Sequence, residues 1–313
     1  MAVAKLLLAK IEATYGTDPM PDALSAIETQ DLEMLRYEGD RVAREVDRSI
    51  LGGKEQVNVL PHTNTSFGVA LAGSGTAGTP PAWGELFRAC GFNETIDVGI
   101  DVKYALATDG SDLSNSDSVT LYDYRDQAGQ LQKTNGCRGA CEITMSGSEL
   151  PKIAFSDFIG SYLTPISGSK PVGIDWSTWL SEVAFTKDNV PILTLDNESF
   201  CTESFNIAFG QSVSRRNLPG CESTVISDYE VTGGMTVIAK DVAAYNIWAR
   251  SESHNGVIKV PFALQLGTVA GNIIEITCPE VQITEVSEGE SGQGDLNQEA
   301  SLSFIGDVTV AVR

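Results

Sequence analysis

Apolar residues in this chain recur at every second position over stretch after stretch, the side-chain period of a strand and not of a helix. Leu6, Leu8 and Ile11 begin the pattern, and it returns around Leu32 and Met34. It then runs through 65–71, 100–106, 118–124, 140–145 and 152–162. Beyond Pro191 it resumes at 192–195, 204–209, 235–239, 257–266, 273–277, 281–286 and 300–312. Turns rich in Gly, Asp, Asn and Ser separate these runs, and long amphipathic helices are missing. The expected fold is mainly β. Two short helices are the exceptions. One is predicted over 81–90, opened by Pro81 and ended by Gly91, with Trp83, Leu86 and Phe87 on one face. The other is predicted over 242–250, with Tyr245, Ile247 and Trp248 as inward anchors.

The segment 163–172, with Pro165 and Pro171 among small polar residues, reads as a linker near the middle of the chain. The order of features repeats on either side of it. A strand, an Arg-bearing excursion, a strand, a short helix and further strands close on Phe158-Ile159-Gly160. A second such series closes on Phe304-Ile305-Gly306. The expectation is an internal duplication: a first domain over 1–162, the linker, and a second domain over 173–313.

Several function classes are excluded or weakened. Gly73-Ser74-Gly75-Thr76-Ala77-Gly78 is a formal dinucleotide fingerprint, but Pro80-Pro81 lets a helix start only after the motif, and no alternating β-α pattern follows. The glycines are read as a connection leaving a strand. Asp plus Glu number 42 against 21 Lys plus Arg, a net charge of −21, with no dense basic run to grip nucleic acid. Only His62 and His254 are present, which thins the options for general-base or metal chemistry. The six cysteines form no regular framework, and Cys137/Cys141 lack a second knuckle for zinc, so they read as reduced. Asp109, Asp112 and Asp117 lack EF-hand spacing and read as a turn cluster. The Leu6–Leu8 run, broken by Lys10 and Glu12, is too short for a signal peptide or membrane span. No catalytic residue, cofactor or metal site is expected, and no membrane association. The acidic run 285–299 reads as a surface loop.

Residues 66–92 resemble the glycine-rich segment and short helix of the major tail tube proteins of long-tailed bacteriophages. Residues 5–19, KLLLAKIEATYGTDP, resemble that family's opening. The series from Asp31-Leu32-Glu33 through Glu38-Gly39-Asp40 to Gly52 is similar too, as is 147–155, GSELPKIAF, to the closing strand of the family's first domain. The matching segments cover most of 1–165, and the second half follows through its echo of the first.

The resemblance implies β-sandwich or partial-barrel domains with a short flanking helix, standing in rings that stack into a hollow conduit for the phage genome. With two domains per chain, a homotrimer would present pseudo-sixfold symmetry, with a homohexamer as the alternative. The implied partners are further copies of the chain and the tape-measure, tail terminator and tail-tip proteins, with DNA passing unbound along an acidic lumen. The chain would act in the virion after assembly in the bacterial cytoplasm. Residues 38–54, with Arg41, Arg44, Glu45, Asp47, Arg48 and Lys54, are the candidate contact between stacked rings. A tail terminator, a decoration protein and a carbohydrate-binding β-sandwich are the rival readings.

Overall fold

The computed structural model describes residues 4–47, 52–292 and 294–313. Strands hold 54 % of the chain and helices 7 %, so the architecture is mainly β, and its strand pairings are antiparallel. The first half contains β1 (Lys5–Ile11), β2 (Ala26–Ile27), β3 (Gln30–Ala43), β4 (Gln56–Ala70) and α1 (Gly84–Ala89). There follow β5 (Phe92–Asp97), β6 (Asp101–Leu106), α2 (Gly110–Ser114), β7 (Val119–Arg125), β8 (Gln130–Ser146), β9 (Glu149–Ser161) and β10 (Ile166–Ser167). The second half contains β11 (Ile192–Leu195), β12 (Glu198–Ser199), β13 (Thr202–Ala208), β14 (Gln211–Leu218), β15 (Cys221–Tyr229) and β16 (Thr232–Ile238). It ends with α3 (Trp248–Ser251), β17 (Val260–Leu266), β18 (Ile274–Glu290), β19 (Leu296–Phe304) and β20 (Thr309–Val312).

Strand pairing follows one plan twice. The first half is ordered β1-β7-β8-β9-β4-β3. The second is ordered β11-β17-β18-β19-β16-β13. In each half a short helix follows, in the chain, the fifth strand of that order: α1 after β4, α3 after β16. The halves are joined through their sheets. β13 adds to the C-terminal part of β8, with Ala208 opposite Glu142 and Ser204 opposite Ser146. β20 adds to β6, with Val312 opposite Val102.

One buried cluster extends through both halves and takes in Phe67, Phe87, Phe155, Phe205, Phe262 and Ile276. Burying each such side chain is worth about 1.5–3 kcal/mol before the entropy of ordering is subtracted. Alternation explains its strands: along β8 Cys141, Ile143 and Met145 point inward, while Glu142, Thr144 and Ser146 stay half-exposed. The glycines of the false dinucleotide motif serve a close approach between the halves. A Cβ on Gly73 would meet the Gly271 carbonyl oxygen at 2.1 Å, and Gly75 N donates to that oxygen at 2.9 Å.

Four expectations are corrected. The helix expected over 242–250 is reduced to the single turn of α3, because 241–245 instead folds as turns anchored on Asp241, whose Oδ1 accepts from Ala243 N. Residues 110–114 form the short helix α2, capped by Asp109, whose Oδ1 accepts from Ser111 N at 2.7 Å. The acidic run 285–299 is not a loop: its residues 285–290 belong to β18 and 296–299 to β19, and Glu290 pairs with Leu296. Residues 273–286, read as two strands, form one continuous β18 with a register shift between Ile283 and Glu285.

Candidate functional site

Listing strands across the junction between halves gives one uninterrupted run of eight, β3-β4-β9-β8-β13-β16-β19-β18. One face of this run packs on the core. The opposite face is built of small and polar side chains: Ser66, Gly68 and Ala70 on β4, Ala154 and Ser156 on β9, Thr144 and Ser146 on β8. It continues across Ser204, Asn206 and Ala208 of β13, Gly234 and Thr236 of β16, and Ser301 and Ser303 of β19. Glu33, Glu142, Glu285 and Glu299 supply its acids, and Lys152 its cation. A face of short side chains, with acids outnumbering the cation, gives a passing polyanion little to hold. Sequence reading missed this surface because Ser, Thr, Ala and Gly at alternate positions mark only a solvent side; the register of eight strands makes them one sheet.

Among the described residues neither border of the run is fully covered by a further strand. β3 has β4 as its strand partner. β18 is covered by β17 only as far as Val281, and on that border its residues 282–290 meet no strand among the described residues. Unpaired edges of this kind are templates for strand addition.

Each half also carries a hairpin arm. In the second half β14 and β15 form it, and the arm folds over the first half. Arg138, 5 % exposed, donates from Nη1 to Thr224 O at 2.6 Å and Ser114 O at 2.9 Å, from Nη2 to Ser116 O, and from Nε to Asp117 O. Its guanidinium lies 5.1 Å from the Tyr15 ring centroid, and burial lowers its pKa. Thr224 N donates to Tyr15 Oη at 2.5 Å, and Arg215 Nη2 donates to Ser161 Oγ at 3.1 Å. Ile226 is wholly buried against Ala107 and Leu113. The order of features marked an Arg-bearing excursion at 215–220 but not its strands, which have a buried face only where they meet the other half.

The arm of the first half is the β3–β4 hairpin. Arg41 lies in β3 opposite Asn58. Beyond it, Arg44 Nη1 sits 3.3 Å from Glu55, and Lys54 pairs with Glu45. Asp47 is exposed in the tip, and Arg48 lies outside the described residues. These ion pairs are exposed, so their charges remain available to a partner at little cost. The helix residues sit elsewhere. Trp83, Leu86 and Phe87 are buried, with Trp83 Nε1 donating to Ala72 O at 2.8 Å; Ile247 is buried, and Trp248 packs on the core's rim.

Titratable groups away from this surface are tied into structure. Glu12, 6 % exposed, accepts from Thr120 Oγ1 and Gly136 N through Oε1, and from Ser118 Oγ and Gly16 N through Oε2, at 2.6–2.7 Å. Burial raises the Cys90 and Cys137 thiols well above their ordinary value, and all six cysteines are free. Asp117 pairs with Arg88 at 2.7 Å. Among the described residues no three His, Cys, Asp or Glu side chains are grouped to hold a metal, and no helix is long and apolar enough to cross a membrane.

The fold and this surface define a structural β protein whose distinguishing features are an extended polar sheet face and open sheet borders. A family model described as phage tail tube protein matches residues 3–306, and the chain belongs to that family. It is a structural component of a phage tail. No curated protein matches the chain.

Proposed function

We propose that this chain is the major subunit of a phage tail tube, assembling with further copies into stacked rings that enclose the path of the DNA. The observation that carries this reading is the eight-stranded run with its short, acidic polar face and two open borders. Set around an axis, such faces form a wall that repels the genome and leaves no cationic track to retard it. The repeated strand order supports two tube domains, 1–162 and 173–313, joined by 163–172, with the duplication preceding the present sequence. Three chains then furnish six domains in a pseudo-sixfold ring; six chains in a hexamer are the alternative. The charged tip of the β3–β4 arm, with Arg41, Arg44, Glu45, Asp47, Arg48 and Lys54, contacts the ring above or below. Rings are laid down in the host cytoplasm along a tape-measure protein, between the tail-tip and terminator proteins. The work is mechanical and electrostatic, with no cofactor and no catalytic step.

Electron microscopy of the purified protein tests this. Hollow tubes of stacked rings are expected, and threefold averages of end-on views support two domains per chain. A strict sixfold with one chain per position refutes the trimer. Particles of 33.4 kDa that stay monodisperse after concentration and seeding with tail tips refute the tube.

A further inference from the structure

The two halves offer a template for how one chain meets the next. β13 is the counterpart of β3: each is the outermost strand in its half's order, and each leads into an arm. β18 is the counterpart of β8, the two having the same 17-residue length and the same partners in order. Inside the chain, β13 closes the border of β8 beyond β7. Among the described residues no strand pairs with the matching border of β18, beyond β17, and β3 pairs with β4 alone. Resting on the tube reading, we infer that the junction between chains repeats the junction within the chain: β3 of one copy adds to residues 282–290 of the next.

The register can be carried over. Phe158 matches Phe304, and the extra residue of β9 falls at Asp157, which has φ of 50°. Ile153 then matches Ala300, and Ile143 matches Val286. On the other strand, Ile207 lies opposite Gly233, and Leu32 lies between the pairs Gln30–Gly68 and Glu33–Ser66. The internal pair Glu142–Ala208 therefore becomes Glu285 opposite Glu33 of the neighbouring copy. Like charges on both borders disfavour indiscriminate pairing of free chains, a common way of guarding an edge.

The arms follow the same rule. Where β14–β15 buries Ile226 on the first half, the β3–β4 arm leaves the cross-strand pair Val42 and Val57 at 54 % and 56 % exposure. These apolar side chains dock on the second half of the neighbour. The charged residues 44–47 and 52–55 lie beyond that contact, because the second-half arm turns directly from Leu218 to Cys221.

Paired cysteines test the junction. In a background of Cys201→Ser and Cys221→Ser, Glu33→Cys and Glu285→Cys place two thiols across antiparallel strands at a spacing a disulfide spans. Mild oxidation is expected to give covalent multimers with both substitutions and none with either alone. Tubes are imaged from the same preparation first, and 30/287, the counterpart of the internal pair Asn206–Thr144, is tried as a second pair. Tubes without cross-links at either pair overturn the junction and leave the tube reading standing. Cross-linked multimers without tubes keep the junction and overturn the tube; neither product overturns both. As a check that does not depend on oxidation, Glu33→Lys turns a like-charge pair into an opposite one, and a lower concentration threshold for assembly is expected, by about twofold to fivefold. An unchanged or higher threshold counts against the register.

Discussion

Replacing Arg138 with methionine keeps most of the buried stem and removes the guanidinium. The loss can be worked from the contacts. Three carbonyls of 114–117 and Thr224 O of the arm would lose their donor, and the face of Tyr15 its cation. A hydrogen bond to a charged group contributes about 1.5–3 kcal/mol net, and such bonds are not additive within one side chain. Part of the loss returns as relief from holding a cation out of water, the same burial that lowers its pKa. A destabilisation of about 3–5 kcal/mol is expected. Arg138→Lys should recover little, because an ammonium cannot present the fork that reaches four carbonyls. Denaturant unfolding measures the total, and hydrogen exchange locates it. Amides of 211–229 should exchange faster, Thr224 N foremost, before those of β8 and β9 respond. A loss below about 1 kcal/mol with an unchanged exchange pattern would refute the claim that Arg138 fastens the arm.

Glu12→Gln puts an amide N–H₂ where backbone and hydroxyl donors already converge, so a loss of about 2–4 kcal/mol is expected in thermal or denaturant unfolding; a neutral result would mean the site rearranges freely. At Asp18, burial works to raise the carboxyl, but the bond from Tyr122, the Met20 N–H and Lys133 outweigh it and hold the pKa below the ordinary value. Its contribution is therefore complete above the unfolded carboxylate pKa of about 3.9 and fades as pH falls through the lower folded value. Asp18→Asn should flatten that acid limb of stability, and an identical limb would contradict the assignment. Thr144→Lys with Thr236→Lys adds two cations to the polar sheet face, and assembled tubes of the variant are expected to retain DNA at low salt and release it as salt rises, where the parent retains none. Raising ionic strength from low values should speed assembly of the unaltered chain, since its charge of −21 opposes association until screened; slower assembly would place attractive ion pairs in control.

Alternation made the core strands legible. At 192–195 and 204–209 it located β11 and β13 within two residues, because their inward side chains are Leu, Phe and Ile. The arms were illegible for the converse reason. Arg215, Arg216 and Asn217 on β14, or Glu38, Asp40 and Arg41 on β3, give no apolar face to count, and only their cross-strand partners make them strands. The same holds at 287–290, where Ser-Glu-Gly-Glu reads as a loop and is paired residue by residue with β19. Helix 242–250 failed on another account. Its aromatic spacing suits a helix, yet Asp241 caps successive turns instead, and Tyr245 packs edge-on against Phe200. The polar sheet face was present in the sequence as alternate small residues, but no local rule says which solvent sides of eight strands belong to one surface.

The pairing of β13 with β8 has a kinetic consequence. Because a single chain supplies both strands, that contact forms at the effective concentration set by the tether, on the order of millimolar, however dilute the solution. Contacts between separate chains enjoy no such advantage and dissolve on dilution. Disassembly would therefore halt at a unit of two joined halves, and nucleation would begin from one, already holding a finished example of the joint it has to make next.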